Sequence, residues 1–530
     1  MAIAYIVLAI YTIALSYVTF YCVIQFNLLY YYKKKQRKEL EDIQTVQVHQ
    51  ENTAQNFKAV AVAHAGEDFD DGFYHEENED IKKQYPFVTV QLPIFNEKYV
   101  VERLIDNIVQ FDYPKDRFEI HVLDDSTDET VEITKQKVLE YQNKGFQIEQ
   151  IHRVDRTGYK AGALKEATMQ AKGDFIAIFD ADFLPRPDFL KRTIPFFKDE
   201  KVGVVQTRWE HINEDYSLIT QLQAIQLNVH FTVEQVGRMA GNYLLQFNGT
   251  AGVWRRETIE TAGGWEADTL TEDLDLSIRA QLKGWKIRFL EEVGSPAELP
   301  VEMNSLKSQQ FRWMKGGAET AKKMLPTVWQ SELSLKQKFH ASMHLLASTV
   351  FVFVFILGVF SVPLLFFLGD LIEVGFSKNF FAIFLVGLLS IISIYYVANV
   401  QSPARSESEP LSKSIYKFLF LFPLFLALSM GLSFHNTIAV IQGYIGKKSP
   451  FVRTPKFNIK TIRESFSRNK YINKQLKWST IFEGVLALYF FGGVIGGLYI
   501  QNTTFIMFHF LLSLGYGAIF YYTVRHLSLK

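Results

Sequence analysis

Cysteine is nearly absent from this chain of 530 residues, with Cys22 the only one. That excludes a disulfide within the chain and any metal site built from several thiolates. Net charge is absent as well, because Lys+Arg and Asp+Glu each count 56. No basic surplus draws the chain to nucleic acid, so no nucleic-acid partner is expected, and any electrostatic effect must be local. Aromatic residues are what the chain has in excess, 46 Phe and 25 Tyr, concentrated after Phe339. Such rings suit a lipid interface, with aliphatic side chains in the hydrocarbon beyond it, and a lipid bilayer is an expected partner. The length is ample for one large domain with a sizeable core plus further elements.

Ala2 to Tyr32 carries no charge and can span a bilayer, for which about 20 apolar residues suffice. A cleaved signal peptide is the rival reading. No basic region precedes the stretch, however, and no small-residue cleavage pattern follows it. Lys33, Lys34, Lys35, Arg37 and Lys38 come directly after, so residues 1–32 read as a transmembrane helix with its N-terminus outside and its basic end in the cytoplasm. A polar, acidic linker is expected over 33–84, where periodicity fades and Glu67, Asp68, Asp70, Asp71, Glu76, Glu77, Glu79 and Asp80 gather.

Over 85–335 short apolar runs alternate with helical stretches. Phe87 to Leu92, Phe118 to Leu123, Phe146 to His152, Phe175 to Phe179 and Val202 to Gln206 read as strands, with helices such as Val101 to Phe111 and Ala161 to Ala171 between them. This is the βαβ rhythm of an α/β domain with a doubly wound, mostly parallel sheet. Apolar blocks follow at 340–369, 380–400, 415–445, 479–500 and 503–523. If every block crossed, the basic segment 447–477 would lie outside, against the positive-inside tendency. Pro423, Gly431, Ser433, His435, Asn436 and Thr437 interrupt one block, so 401–446 is expected to be interfacial or re-entrant. Two transmembrane helices are then expected in 336–400, a cytoplasmic loop at 447–477 and two further helices in 478–530, five crossings in all.

Four motifs carry the candidate chemistry. Asp124 and Asp125 close a strand, where an open α/β sheet places its ligand crevice; the plainer alternative is a turn or helix cap. Asp180 and Asp182 close another strand, and two carboxylates one residue apart can share a hard divalent cation bridging a diphosphate. Asp273 stands at the start of a helix expected to run to about Leu282, as a cap or as a general base toward a hydroxyl. Gln309 shares a helix face with Arg312 and Trp313, at spacings of three and four. Arginine can neutralise a departing diphosphate and tryptophan can support a sugar ring, although an isolated Arg-Trp pair is more often packing.

In order and spacing these motifs resemble the processive, cellulose synthase-like branch of the family 2 glycosyltransferases, over roughly 87–456. Gln91-Leu92-Pro93-Ile94-Phe95-Asn96-Glu97, Lys160-Ala161-Gly162, Gln206-Thr207-Arg208-Trp209 and Phe247-Asn248-Gly249-Thr250-Ala251-Gly252 add to the likeness, the last two looking most like the glucomannan synthase-like subgroup. The resemblance implies a GT-A fold and a membrane-bound, inverting, metal-dependent hexosyltransferase that extends a β-linked polysaccharide, with coupled export implied as well. Its donor would be a UDP-sugar or GDP-sugar and its acceptor a glycan or a lipid. Asp124, Asp125, Lys160 and Glu97 would then contact the donor, Asp180 and Asp182 would also hold Mg²⁺ or Mn²⁺, and Asp273 would be the base. Gln309, Arg312, Trp313 and Glu272 would meet the pyrophosphate and the acceptor. Phe451, Thr454 and Lys456 resemble a gating loop, although Arg453 stands where a valine is usual; a basic segment at a lipid surface is the alternative. The implied location is a membrane with the catalytic domain in the cytoplasm, the plasma (inner) membrane of a bacterium being expected. An export partner subunit would leave no mark in one chain. Glycosylation of a diacylglycerol or ceramide by the same chemistry is the alternative function.

Overall fold

The computed structural model describes residues 1–60, 85–402, 409–449, 452–456, 458 and 476–528. Seven strands, β1 (Val88–Ile94), β2 (Phe118–Asp124), β3 (Ile148–His152), β4 (Phe175–Ile178), β5 (Val202–His211), β6 (Gly252–Arg255) and β7 (Lys286–Ala297), form one sheet. Their order is β3-β2-β1-β4-β6-β5-β7. β1 to β4 are parallel, β6 runs antiparallel to β4 and β5, and β7 is parallel to β5. All strands but β6 therefore bring their C-terminal ends to one edge. Of the five strands read from the sequence, β2 and β4 are buried throughout. β6 and β7 escape that pattern, because β6 is only four residues long and β7 interleaves Lys286, Arg288, Glu291 and Glu292 with its apolar residues.

Helix α1 (Ala2–Val60) continues well past the lysine cluster, which corrects the linker expected from residue 33. The continuation is rich in Lys, Glu and Gln, good helix formers, and Lys35 pairs with Glu39 one turn on at 3.0 Å. Residues 61–84, with the acidic cluster, lie outside the described residues. Helices α2 (Val101–Ile108) and α3 (Thr130–Asn143) cover one face of the sheet, packing Leu104, Ile108 and Val138 on Val90, Ile120 and Ala177. α4 (Tyr159–Gln170) lies on the other, where Leu164 meets Ile176 and Ile178. Leu29 and Tyr32 of α1 join this second core, so a membrane helix is built into the α/β domain. Further along the chain come α5 (Leu218–Val229), α6 (Glu272–Leu282) and α7 (Met303–Gln330).

Six described helices are long and apolar enough to cross a membrane, and the chain is an integral membrane protein. They are the first part of α1, then α8 (Val350–Glu373), α9 (Leu385–Val400, with the turn before it), α10 (Leu411–Gly431), α12 (Trp478–Tyr499) and α13 (Ile506–Ser528), while the short α11 (Ser433–Tyr444) packs mainly on α7 and α8. Far from the α/β domain, Ala4 and Tyr11 of α1 cluster with Leu371 of α8, Phe381 ahead of α9 and Phe505 ahead of α13. At the opposite end the same helices meet the domain. Tyr32 donates to Glu291 (2.9 Å), Lys33 donates to Gln401 after α9 (3.0 Å), and His526 accepts from Met303 N–H (3.1 Å).

α10 and α11 behave differently. Helical hydrogen bonds run through Leu432, which donates to Leu428 and accepts from Asn436, so the two form one helix bent near Gly431. Lys417 near its start pairs with Glu214 at 2.9 Å, and Tyr444 at its end accepts from Lys322, also at 2.9 Å. Both ends therefore touch the α/β domain, while Phe434 at the bend packs among Val362, Phe490, Leu512 and Tyr516. A Cβ on Gly431 would lie 2.5 Å from the backbone of Gly515, so α10 and α13 approach there backbone to backbone.

Candidate active site

One pocket opens along the C-terminal edge of the sheet. It runs from Asp125 after β2 and Phe95 after β1, past Asp180 and Asp182 after β4 and Asn248 before β6, to Trp209 and His211 on β5 and Ala297 at the end of β7. The reversed β6 sits between β4 and β5, and the chain entering it, residues 248–251, crosses the middle of the pocket.

At the β2 end the two neighbouring aspartates part company. Asp124 is fully buried, accepting from Ser126 N–H at 2.9 Å and from Gln150 at 2.7 Å, and it does not line the pocket. This corrects its expected contact with the donor: the carboxylate is consumed in holding the turn, the capping alternative. Asp125 does line the pocket, held by Arg153 through two parallel bonds of 2.8 Å. Arg156 stacks 3.3 Å above the ring of Phe95 in the same wall.

Lys160, at the start of α4, ties the middle of the pocket together. Its Nζ donates to Asp180 Oδ1 (2.6 Å) and to the carbonyl of Gly249 (3.0 Å). Burial works against its charge, but Asp180, Glu272 and Asp273 hold its pKa above the ordinary lysine value. Gly249 needs to be glycine on two counts. Its φ is +79°, and a Cβ there would stand 2.9 Å from Asp273 Oδ2.

Asp273 lies in the first turn of α6 and accepts from Leu274 N–H at 2.8 Å. Burial, reinforced by the charge of Glu272, lifts its carboxyl to about 7, which suits a base working near neutrality. Glu272 is itself raised by burial, with Lys160 pulling the other way. Opposite them α7 presents Gln309, Arg312 and Trp313 to the pocket, as their spacing requires. Arg312 donates to the carbonyl of Val452 and to Thr454 Oγ1 (2.9 Å), and burial draws its pKa down to about 10. Lys456 reaches Asp182 at 2.6 Å and Arg453 reaches Glu97 at 3.0 Å. Burial pushes Glu97 up to about 8 against the pull of Arg453 and Lys456. Thr454 and Lys456 therefore join the site, while Phe451 lies outside the described residues.

Asp180 and Asp182 face the same pocket with hard oxygen donors, one residue apart, a set that fits Mg²⁺ or Mn²⁺. Another acidic group, Glu266, Asp268 and Asp275, also brings its oxygens within metal-binding reach. Lys323 already stands among those three at 2.6, 2.9 and 3.1 Å, and none of them lines the pocket. Reading the sequence missed Arg153, the stacking of Arg156 and the pocket positions of Trp209 and His211. The polar ending of the apolar β5 run was the available signal for the last two.

Residues 86–316 match the family model described as "Glycosyltransferase like family 2". The chain is similar to glucomannan 4-beta-mannosyltransferase 7 of Arabidopsis thaliana, 42% identical over 262 residues, 48% of this chain and 47% of the relative. The chain thus spans about half the length of that relative. Because the relative is from a plant, the bacterial membrane expected above gains no support. Among solved structures, a mannosyltransferase from Pyrobaculum calidifontis in complex with GDP-Man and Mn²⁺ aligns over 83% of this chain and all of its own, at 18% identity and a TM-score of 0.49. Staphylococcus aureus TarS aligns over 68% of this chain and 54% of its own, at 16% identity and a TM-score of 0.35.

Proposed function

We propose that the glycosyltransferase domain transfers a hexose from a UDP-sugar or GDP-sugar, with inversion, onto a growing β-linked glycan that leaves through the membrane helices. One observation carries the reading: Asp273, raised to about 7, shares a single pocket with Lys160, Asp180 and the Gln309, Arg312, Trp313 face of α7. Asp273 takes the proton of an acceptor hydroxyl as its oxygen attacks the anomeric carbon and the bond to the nucleoside diphosphate breaks. Lys160 and Arg312 take up the charge that develops on the departing diphosphate. Asp180 and Asp182 would hold Mg²⁺ or Mn²⁺, which when bound neutralises the same diphosphate. Trp313 supports the terminal acceptor sugar, and single displacement turns an α-linked donor into a β-linked product.

The contacts of Tyr32, Gln401, Lys417, Tyr444 and His526 with the domain favour five crossings, with α10 and α11 entering and leaving on the domain side. The lysine cluster after residue 32 then puts that side in the cytoplasm. To test the reading, purified protein is given labelled UDP- and GDP-sugars with Mn²⁺, and the product is digested with linkage-specific glycosidases. A β-linked polymer is expected; a lipid-linked monosaccharide alone would favour glycolipid synthesis. Asp273→Asn should lower turnover by about 10²- to 10⁴-fold while nucleotide affinity stays near wild type, and unchanged turnover removes Asp273 from the mechanism.

A further inference from the structure

Just past Trp313, α7 carries a charged pair that stays out of the pocket. Lys315 is fully buried, and its ammonium stands 3.6 Å from Glu319, one turn further on. Neither residue lines the pocket. A lysine taken from water is costly unless its three protons find acceptors, so the acceptors it has chosen say what it holds.

Two of them lie on a segment distant in sequence. Lys315 Nζ donates to the carbonyl of Lys447 and to Ser449 Oγ, the latter at 2.5 Å. Both stand shortly ahead of the stretch that enters the pocket, where Thr454 accepts from Arg312, Arg453 pairs with Glu97 and Lys456 pairs with Asp182. The end of α11, which leads into that stretch, is pressed onto the same turn of α7. A Cβ on Gly443 would lie 2.6 Å from the Lys315 carbonyl oxygen and 2.8 Å from Ala318 Cβ.

Glu319 serves a different segment. Its Oε2 accepts from Leu270 N–H at 2.9 Å, shortly before Asp273, and the hydroxyls of Thr271 and Thr320 meet at 3.0 Å. Gly316 permits the approach, since a Cβ there would stand 2.6 Å from Thr271 Cγ2. One turn of α7 therefore grips both the start of α6, with Asp273, and the stem of the stretch 452–456. Reacting groups displaced by as little as about 1 Å can lose two orders of magnitude in rate, so a fixed distance between these two segments matters to any chemistry in the pocket.

We propose that Lys315 and Glu319 form a positioning clamp that fixes Asp273 relative to Arg453, Thr454 and Lys456 without touching anything bound in the pocket. Thr454 is buried, so in the full-length chain in detergent a Thr454→Cys reporter in a Cys22→Ser background reacts with a thiol reagent only when its segment opens. Lys315→Met removes both bonds to 447–449 and should speed labelling by about tenfold or more. Glu319→Gln should speed it by about threefold, although Glu319 reaches that segment only through Lys315 among the described residues. Because the two act as one unit, the double variant should label within about twofold of Lys315→Met alone. Lys322→Met, which removes the neighbouring lysine from the Tyr444 carbonyl, should label within about twofold of wild type. Wild-type labelling in Glu319→Gln overturns the clamp, and this half-buried, isosteric change carries the test even if Lys315→Met does not fold. Equal acceleration by Lys322→Met, which marks a general loosening of α11, overturns it too, as do fully multiplicative effects in the double variant. What the two segments do for transfer rests on the proposed function, whereas labelling needs no turnover. A clamp found in a chain that never transfers a sugar counts against that function alone, and transfer without a clamp counts against the clamp alone.

Discussion

Asp273 is raised because it is buried beside a second acid, and this has two consequences of opposite sign. As a base it must be ionised, so kcat/KM should climb as pH rises through about 7 and level off above it, as read from a pH–rate profile. The same shift loads the folded state with a proton that the unfolded chain gives up first. Stability should therefore fall as pH rises from 3.8 to about 7, and Asp273→Asn should lessen that fall in thermal melts across the window. Gly249 guards this geometry. Gly249→Ala would set a methyl carbon 2.9 Å from Asp273 Oδ2 on a backbone with φ of +79°, and turnover should drop by about tenfold or more with nucleotide binding retained. Much of the residue-level site was legible because its members lie in short, ordered motifs. Asp124 shows the limit: two adjacent aspartates look alike in sequence, and only the fold reveals that one serves its own turn. Arg153 and Arg156 were hidden for the converse reason, as lone arginines whose partners, Asp125 and Phe95, lie just past the ends of β2 and β1.

Among the elements, α7 presents Gln309, Arg312 and Trp313 to the pocket and is also fastened to the apolar helices. Lys307, two residues before Gln309 and one turn before Phe311, pairs with Glu483 of α12 at 2.8 Å, both buried, and His435 of α11 stands 2.9 Å from the Lys307 carbonyl. Glu483→Gln leaves a buried ammonium without its counter-charge and should destabilise the protein by about 3 kcal/mol, read as a lower melting temperature in detergent. Lys307→Met combined with Glu483→Leu should recover most of the loss, since an apolar pair replaces a desolvated ionic one. Strands β1 to β5 and helix α6 could be read from periodicity and caps, since their burial comes from the sheet itself. β7 could not, because its charged residues are satisfied by contacts from afar, Glu291 by Tyr32 of α1 among them. The continuation of α1 was missed for a related reason: polar residues that suggest a linker are also strong helix formers.

For the molecule as a whole, the expected topology is a statement about sides. Single cysteines introduced into a Cys22→Ser background at Gln401, Lys417 and Lys447 should label from the cytoplasmic face, and those at Gly375 and Gln501 from the outer face. Labelling of Lys447 from outside would establish six crossings and remove Lys456 from the pocket. Reading charge around the apolar blocks suggested this arrangement, but composition alone counts α10 with the spans. Its salt bridge to Glu214 and the seat of Tyr444 on Lys322 are contacts across long stretches of chain, invisible to any window of sequence.

The way Leu29, Tyr32 and the far end of α9 enter the second core of the sheet sets a practical boundary on this protein. A water-soluble enzyme cannot be obtained by cutting at the apparent border of the matched segment. A fragment of residues 86–316 would lose the cover over Ile176, Ile178 and Phe289 and break α7 just beyond Trp313. Expressed alone, it should aggregate or require detergent, and lipid composition becomes a variable of the catalytic assay from the start.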